Sequence, residues 1–341
     1  MPELLNSLYV QTQGSRLSLE GDTVRIVLDG ETAARVPLLR LSGIAVFGNV
    51  SVTPFLIHRC AQDGRQLAWF SRGGRFRARI QGMTTGNVLL RRAQHQALDD
   101  PARTLHIARQ IVAAKIQNSR HVLLRSAREA GYEGDETALR AAADRLAAVL
   151  ERLQGIGDLN ALRGAEGEAA RAYLGSITQM VRVNRRFFGF HGRSRRPPRD
   201  RMNSLLSFLY ALLRGECEAA LEGVGLDPQM GYLHALRPGR PAMALDLMEE
   251  FRPVLADRLT LTLVNQRQLD PDDFEKRGGT YLTDAGRKKV LTAYQKRKEI
   301  ETSHRLLKQK VPWGLVPHVQ ARLLARYLRG EIGVYPPFVY R

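Results

Sequence analysis

The sequence has no run of 18 apolar residues, which excludes a membrane-spanning helix. Its first residues, MPELLNSLYVQTQG, lack the basic start and apolar stretch of a secretory signal. Cysteine is scarce. Cys60 and Cys217, the only two, lie in different parts of the chain. They cannot form a disulfide framework, nor a zinc site by themselves, and both read as small core residues of a cytoplasmic protein. Acidic residues are also in short supply, 34 against 52 Lys and Arg, for a net charge of +18. Such an excess points to a polyanionic partner, since phosphate contacts by Arg and Lys release condensed counterions. Nucleic acid fits better than an anionic membrane or a merely soluble basic surface.

With 341 residues, 44% of them hydrophobic, the chain can bury a core as one large or two modest domains. The first 80 or so residues read as β-rich. SLYVQTQGSRLSLEGDTVRIVL has short alternating runs broken by Gly14 and by Gly21-Asp22, a hairpin signature. Two more strands are expected around Ser42-Gly43, a short helix over Pro54 to Gln62, and a strand at QLAWFS. Gly73-Gly74 reads as a turn, and RFRARIQG as an exposed edge strand with Arg75, Arg77 and Arg79 on one face. Those arginines suit equally a charged edge that blocks aggregation and a DNA contact.

The character changes after GMTTGN. Asp100 can cap a helix with Pro101 in its first turn, running toward Arg128. Ala- and Leu-rich helical patterns follow, including one over 284–308. The expected fold class is therefore α+β: a β-rich unit over 1–85, then an all-helical unit over 86–341. Two stretches read as loops. Residues 269–290 are polar, with DPDD as a helix cap and turn because EF-hand spacing is absent. Residues 185–201 are broken by Gly189, Gly192 and Pro197-Pro198. From Arg182 to Arg201 there are eight arginines (182, 185, 186, 193, 195, 196, 199, 201), one acid, and Phe187, Phe188 and Phe190. That mixture suits phosphate contact and base stacking, against the plainer alternative of a basic loop with an apolar anchor.

Divalent ions acting on phosphates are held by hard oxygen ligands, sometimes with one imidazole. Glu166 lies between Gly164 and Gly167 in a helical pattern, with Arg163 and Arg171 about a turn away. Taken alone it reads as part of a solvated helix face. His234 sits before a Pro/Gly-rich turn and taken alone reads as a satisfied histidine. Asp246 and Glu249 share one face of a helix that Pro241 can open. Asp246 lies between Leu245 and Leu247, a poor place for an unpaired carboxylate and a good one for a ligand. Arg252 extends that face, and Glu250 reads as an outward-pointing charge.

LRGAEGEAARAY resembles the glutamate motif of the CRISPR-associated adaptation integrases, the nucleases that insert spacers into CRISPR arrays. PPRDRMNSLLSFLYALL is similar to a second motif of that family, at Asp200, Asn203 and Tyr210, and GYLHALRPGRPAMALDLMEEFRP to a third. The resemblance covers nearly the whole chain and is closest in texture to the subtype I-C branch. It implies metal ligands at Glu166, His234 and Glu249, with Asp246 beside them in the catalytic group, and Mg²⁺ or Mn²⁺ as cofactor. Relatives often carry Asp where this chain has Glu249. DNA contacts are expected from Arg163, Arg182, Arg185, Arg186, Arg193, Arg195, Arg196 and Arg252. Asn203 and Tyr210 are expected to be architectural, with Asp200 capping a helix or pairing an arginine. The implied reaction is attack by the 3′-hydroxyl of a short duplex on a phosphodiester at a repeat border. The implied partners are double-stranded DNA, a second copy joined through the N-terminal unit, and a small CRISPR-associated partner protein. Two rival readings are a stand-alone nuclease of branched DNA or RNA and a non-catalytic DNA-binding scaffold whose acids form ion pairs.

Overall fold

Alternation of side chains organises the N-terminal quarter of the chain. The computed structural model describes residues 7–41, 43–72, 76–80, 82 and 88–340. Strands β1 (Ser7–Val10), β2 (Arg16–Glu20), β3 (Thr23–Leu28), β4 (Glu31–Pro37), β5 (Gly43–Phe47) and β6 (Ser51–Val52) precede helix α1 (Pro54–Gln62) and strands β7 (Gln66–Phe70) and β8 (Phe76–Arg79). They form two four-stranded sheets, β1-β5-β7-β8 and β4-β3-β2-β6. The expected hairpin is present: Glu20 pairs with Thr23 across Gly21-Asp22, and Gly21 takes the left-handed φ of +57° that the turn demands.

β5 is buried along its whole length, and its two faces serve two cores. Ile44 and Val46 pack with Leu17, Val24, Leu56 and Leu67 between the sheets. Ala45 and Phe47 face the helical body instead. Phe47 stacks on Phe70 with ring centroids 4.9 Å apart and lies 6.2 Å from Phe208. The β-rich unit is thus seated on the helices through one sheet face. Arg79 strengthens the join. β8 is an edge strand, as expected, but Arg79 is not a free charge on it: it pairs with Glu218 at 3.0 Å and with Glu222. Arg77 is exposed. Ser42, Gly73-Gly74, Arg75, most of GMTTGN and the expected 85/86 boundary lie outside the described residues.

The helical body contains α2 (Val88–Asp99), α3 (Pro101–Arg128), α4 (Asp135–Arg152), α5 (Leu159–Gly175), the short α6 (Ile177–Met180) and α7 (Arg185–Phe188), and α8 (Arg201–Gly223). Next come α9 (Ala242–Glu249), a π-helical turn over Arg252–Asp257, α10 (Arg258–Asn265), α11 (Asp284–Glu299) and α12 (Val316–Leu328). Asp100 caps α3 as expected, accepting from the backbone N–H of Ala102 and Arg103. Asp158 caps α5 and Asp200 caps α8 in the same way.

Two small hairpins interrupt the otherwise helical unit: β9 (Phe274–Lys276) with β10 (Thr280–Leu282), and β11 (Glu301–His304) with β12 (Gln309–Pro312). Residues 269–290 are accordingly not a plain loop. A capping box at Asp270 and Asp273 starts the segment, the hairpin follows, and α11 begins at Asp284. The helix expected over 284–308 ends at Glu299, and Thr302 and His304 then turn inward with the period of a strand.

Candidate catalytic centre

Three helices and one turn bring the site together. α9 is apolar on nearly every side, and Asp246 and Glu249 are both buried in it. A buried carboxylate is tolerated only if its oxygens find donors. Asp246 Oδ2 accepts from the backbone N–H of Tyr232 and Leu233, at 2.6 and 2.8 Å. Its Oδ1 accepts from the His234 N–H at 2.9 Å and meets His234 Nδ1 at 2.6 Å. Both oxygens are therefore committed to the turn at 232–234. Asp246 is not a free ligand, as its apolar neighbours suggested, but the group that orients His234. An ionised carboxylate only accepts, so the Nδ1 proton faces Asp246 and leaves Nε2 as the free lone pair.

Nε2 lies 3.9 Å from Glu249 Oε1. The same oxygen accepts from Arg252 Nη1 at 2.6 Å. Burial alone would raise the Glu249 pKa, but the positive charges of Arg252 and Lys115 outweigh it and hold the carboxyl well below its usual range. Arg252 is fixed in turn, its guanidinium 4.3 Å above the Tyr210 ring. Tyr210 and Tyr173 both donate to the buried Asp257, at 2.6 and 3.0 Å. Tyr210 is thus architectural, as expected.

Glu166 projects from α5 toward Glu249. Lys115 of α3 links them: its ammonium contacts Glu166 Oε1 and stands 2.5 Å from Glu249 Oε2. Lys115 was absent from the sequence reading. A signal existed, because this lysine sits among Ile111, Val112, Ile116 and Ser119, which line the buried face of α3. Among the described residues, no three His, Cys, Asp or Glu side chains form a closed metal cluster as they stand. The Lys115 ammonium fills the space between the two carboxylates.

The remaining expected residues divide. Arg163 donates to the Leu233 carbonyl at 2.7 Å and so braces the histidine turn. Arg171 is exposed. Glu250 does not point outward. It is fully buried and accepts from Tyr335 Oη at 2.5 Å, the Phe338 N–H at 2.7 Å and Gln320 Nε2 at 3.1 Å. The C-terminal segment folds over α9 and closes the face that the sequence left open. Burial pushes the Glu250 carboxyl up to about 7 despite those donors.

In the basic segment, Arg185 pairs with Asp135 and stacks on Tyr132 at 4.0 Å. Arg193 donates to Asn203 at 2.8 Å and Ser207 at 3.0 Å, and Arg182 lies 3.5 Å from Glu129. Asn203 also accepts from the Ser194 N–H and donates to the Gly192 carbonyl, so it shapes this segment. Asp200 caps α8 rather than pairing an arginine among the described residues. Phe188 and Phe190 are buried anchors, while Phe187 remains exposed with Arg201 at 5.2 Å from its ring. Arg186, Arg195, Arg196 and Arg199 are exposed.

The model for the family described as CRISPR associated protein Cas1 matches residues 8–296. The CRISPR-associated endonuclease Cas1 1 of Moorella thermoacetica is 54% identical over 340 residues, spanning 99% of both chains. The chain belongs to the Cas1 family. It is therefore a CRISPR-associated endonuclease. The fold agrees. A CAS1 protein from Thermotoga maritima superposes with a TM-score of 0.80 at 24% identity, covering 95% of this chain and 97% of its own. A casposase bound to its integration product gives 0.83 at 21% identity, covering 98% and 94%. No helix among the described residues is long and apolar enough to cross a membrane.

Proposed function

We propose that Glu166, His234 and Glu249 hold one divalent ion, Mg²⁺ or Mn²⁺, and that the chain uses it to join a 3′-hydroxyl DNA end to a repeat border. The observation that carries this reading is the imidazole. Its Nδ1 is tied to Asp246, the carboxylate–histidine arrangement found behind metal ligands, and its Nε2 is presented beside a second buried carboxylate. A scaffold whose acids merely form ion pairs has no need of an oriented, unspent lone pair there. The donor set of two carboxylates and one imidazole suits a hard to borderline ion. Lys115 lying between the carboxylates shows that the spot favours positive charge.

The bound ion supplies Lewis-acid stabilisation of charge developing on a phosphate oxygen. The protein's own groups do the rest. Asp246 fixes the imidazole, Arg163 braces its turn, and Arg252 with Tyr210 fixes Glu249. The target strand's 3′-oxygen leaves as the incoming 3′-oxygen bonds to phosphorus. One phosphodiester replaces another, and no nucleotide is consumed. The reverse disintegration of a branched product uses the same centre.

Duplex DNA is assigned to the surface bearing Arg186, Arg195 and Arg196, supported by their exposure and by the charge of +18. The division into units at 85/86 follows from the change of pattern along the chain, and dimerisation through the N-terminal unit, a small CRISPR-associated partner protein and subtype I-C from the motif resemblance. The two buried free cysteines suit a reducing cytoplasm. The deciding experiment offers a 3′-hydroxyl duplex and a supercoiled plasmid bearing a leader and repeat, in Mn²⁺ with the partner protein. Joining at the repeat borders is expected, and its loss in Glu166→Ala and His234→Ala. Retained joining in both variants would refute the site, random nicking would favour a plain nuclease, and a monomer by light scattering would count against the dimer.

A further inference from the structure

We propose that Lys115 is a built-in counter-cation: it holds the place of the divalent ion between Glu166 and Glu249 and is displaced when the ion binds. The inference rests on the ligand assignment above and adds a competitor to it. α3 delivers the Lys115 ammonium against Oε1 of Glu166 and within 2.5 Å of Oε2 of Glu249. These helices are remote in sequence, and the lysine bridges the two assigned carboxylate ligands. Its side chain is only 13% exposed, so water screens the contacts poorly.

Arg252 cannot replace it. Arg252 Nη1 binds the other oxygen of Glu249, and its guanidinium is held on Tyr210. Glu166 has no ion pair with Arg252. Without Lys115 a metal-free site would bring two carboxylates together with one cation on the far side of one of them. An ammonium and a divalent ion cannot occupy the same gap, because their repulsion in a poorly hydrated site is large. Metal entry therefore requires Lys115 to leave. A lysine suits this role: its flexible stem carries a point charge that can swing away, whereas an arginine would clamp both carboxylates with its planar fork. The lysine thus stabilises the metal-free fold and lowers the apparent affinity for the ion.

The test uses the full chain without DNA. Mn²⁺ binding is measured from the electron paramagnetic resonance signal of the free ion, and thermal unfolding is recorded with and without Mn²⁺. Lys115→Met should bind Mn²⁺ at least tenfold more tightly, lower the metal-free Tm and enlarge the rise in Tm that Mn²⁺ produces. Lys115→Arg should bind Mn²⁺ about tenfold more weakly. Unchanged or weaker binding by Lys115→Met overturns the proposal. If that variant does not fold without metal, wild-type affinity in Lys115→Arg overturns it instead. Glu166→Gln and His234→Ala run alongside. If neither weakens Mn²⁺ binding, the ligand assignment itself fails. If both weaken it while the Lys115 variants match wild type, only the counter-cation fails.

Discussion

The proposed catalytic centre and the arginine-rich segment at 182–201 are both charged, yet they handle charge in opposite ways. The centre gathers few ionisable groups, buries Asp246 and Glu249 and half-buries the rest, and joins Glu166 to Lys115, Lys115 to Glu249, Glu249 to Arg252 and His234 to Asp246. The segment holds eight arginines, and the structure sorts them. Arg185 and Arg193 are tied into the fold, while Arg186, Arg195, Arg196 and Arg199 face solvent. The comparison teaches that charge density along a sequence measures neither burial nor commitment. A side chain whose partners are already internal changes stability when removed. One facing solvent changes long-range attraction and its salt dependence.

The sharpest break should come from Glu249→Ala, which leaves Lys115 and Arg252 with an unmatched buried charge. Removing one partner of a buried pair costs about 3–5 kcal/mol, so a large fall in Tm should accompany the loss of joining. A Tm within a degree of wild type would show that the centre is no more coupled than the surface.

Next in size is the pH response of Glu250. Its carboxyl is raised to about 7 in the folded chain by burial, so the folded state favours the proton more than the unfolded state does. Its stabilising contribution is therefore complete below the ordinary carboxylate range and is lost as pH rises through about 7. Glu250→Gln should flatten the fall in Tm between about pH 5 and about pH 8. Equal slopes for wild type and variant would contradict the burial argument.

Asp246→Asn retains the volume but loses acceptor capacity toward the turn and the imidazole. Mutating such a supporting partner typically costs about 10–100-fold in metal affinity or activity. Calorimetric Mn²⁺ titration and a joining assay should both register it. The smallest effects belong to the surface. Single Ala substitutions at Arg186, Arg195 or Arg196 should weaken duplex binding evenly across sequences and lower the salt slope by about 1 for each lost phosphate contact. Arg185→Ala and Arg193→Ala should instead lower Tm. A salt-slope change from Arg193→Ala with no change in Tm would erase the distinction.

Local patterns made much of this molecule readable. The Gly21-Asp22 hairpin, the α1 span and the Asp100–Pro101 start of α3 are short-range physics, decided by φ angles and capping donors within a few residues. The three ordered motifs marked Glu166, His234 and Glu249, although Glu166 and His234 in isolation looked ordinary. Two of the misreadings share one cause. Glu250 looked solvent-facing because its partners, Tyr335 and Phe338, lie far along the chain. Arg79 looked like a free edge charge because Glu218 and Glu222 approach from α8. The hairpins at 274–282 and 301–312 escaped because they are short and polar, with little apolar period.

The sequence by itself determined the two-part α+β plan and the family, and nominated the carboxylates and imidazole proposed for the site, because those reside in periodicity, turn chemistry and ordered motifs. Only the tertiary structure decided how their charges are balanced. It showed that Asp246 orients rather than waits for a ligand, that Arg163 braces the turn, and that Lys115 stands between Glu166 and Glu249. Electrostatic pairing depends on distance through space, and packing α3, α5 and α9 together creates distances that no spacing along the chain encodes.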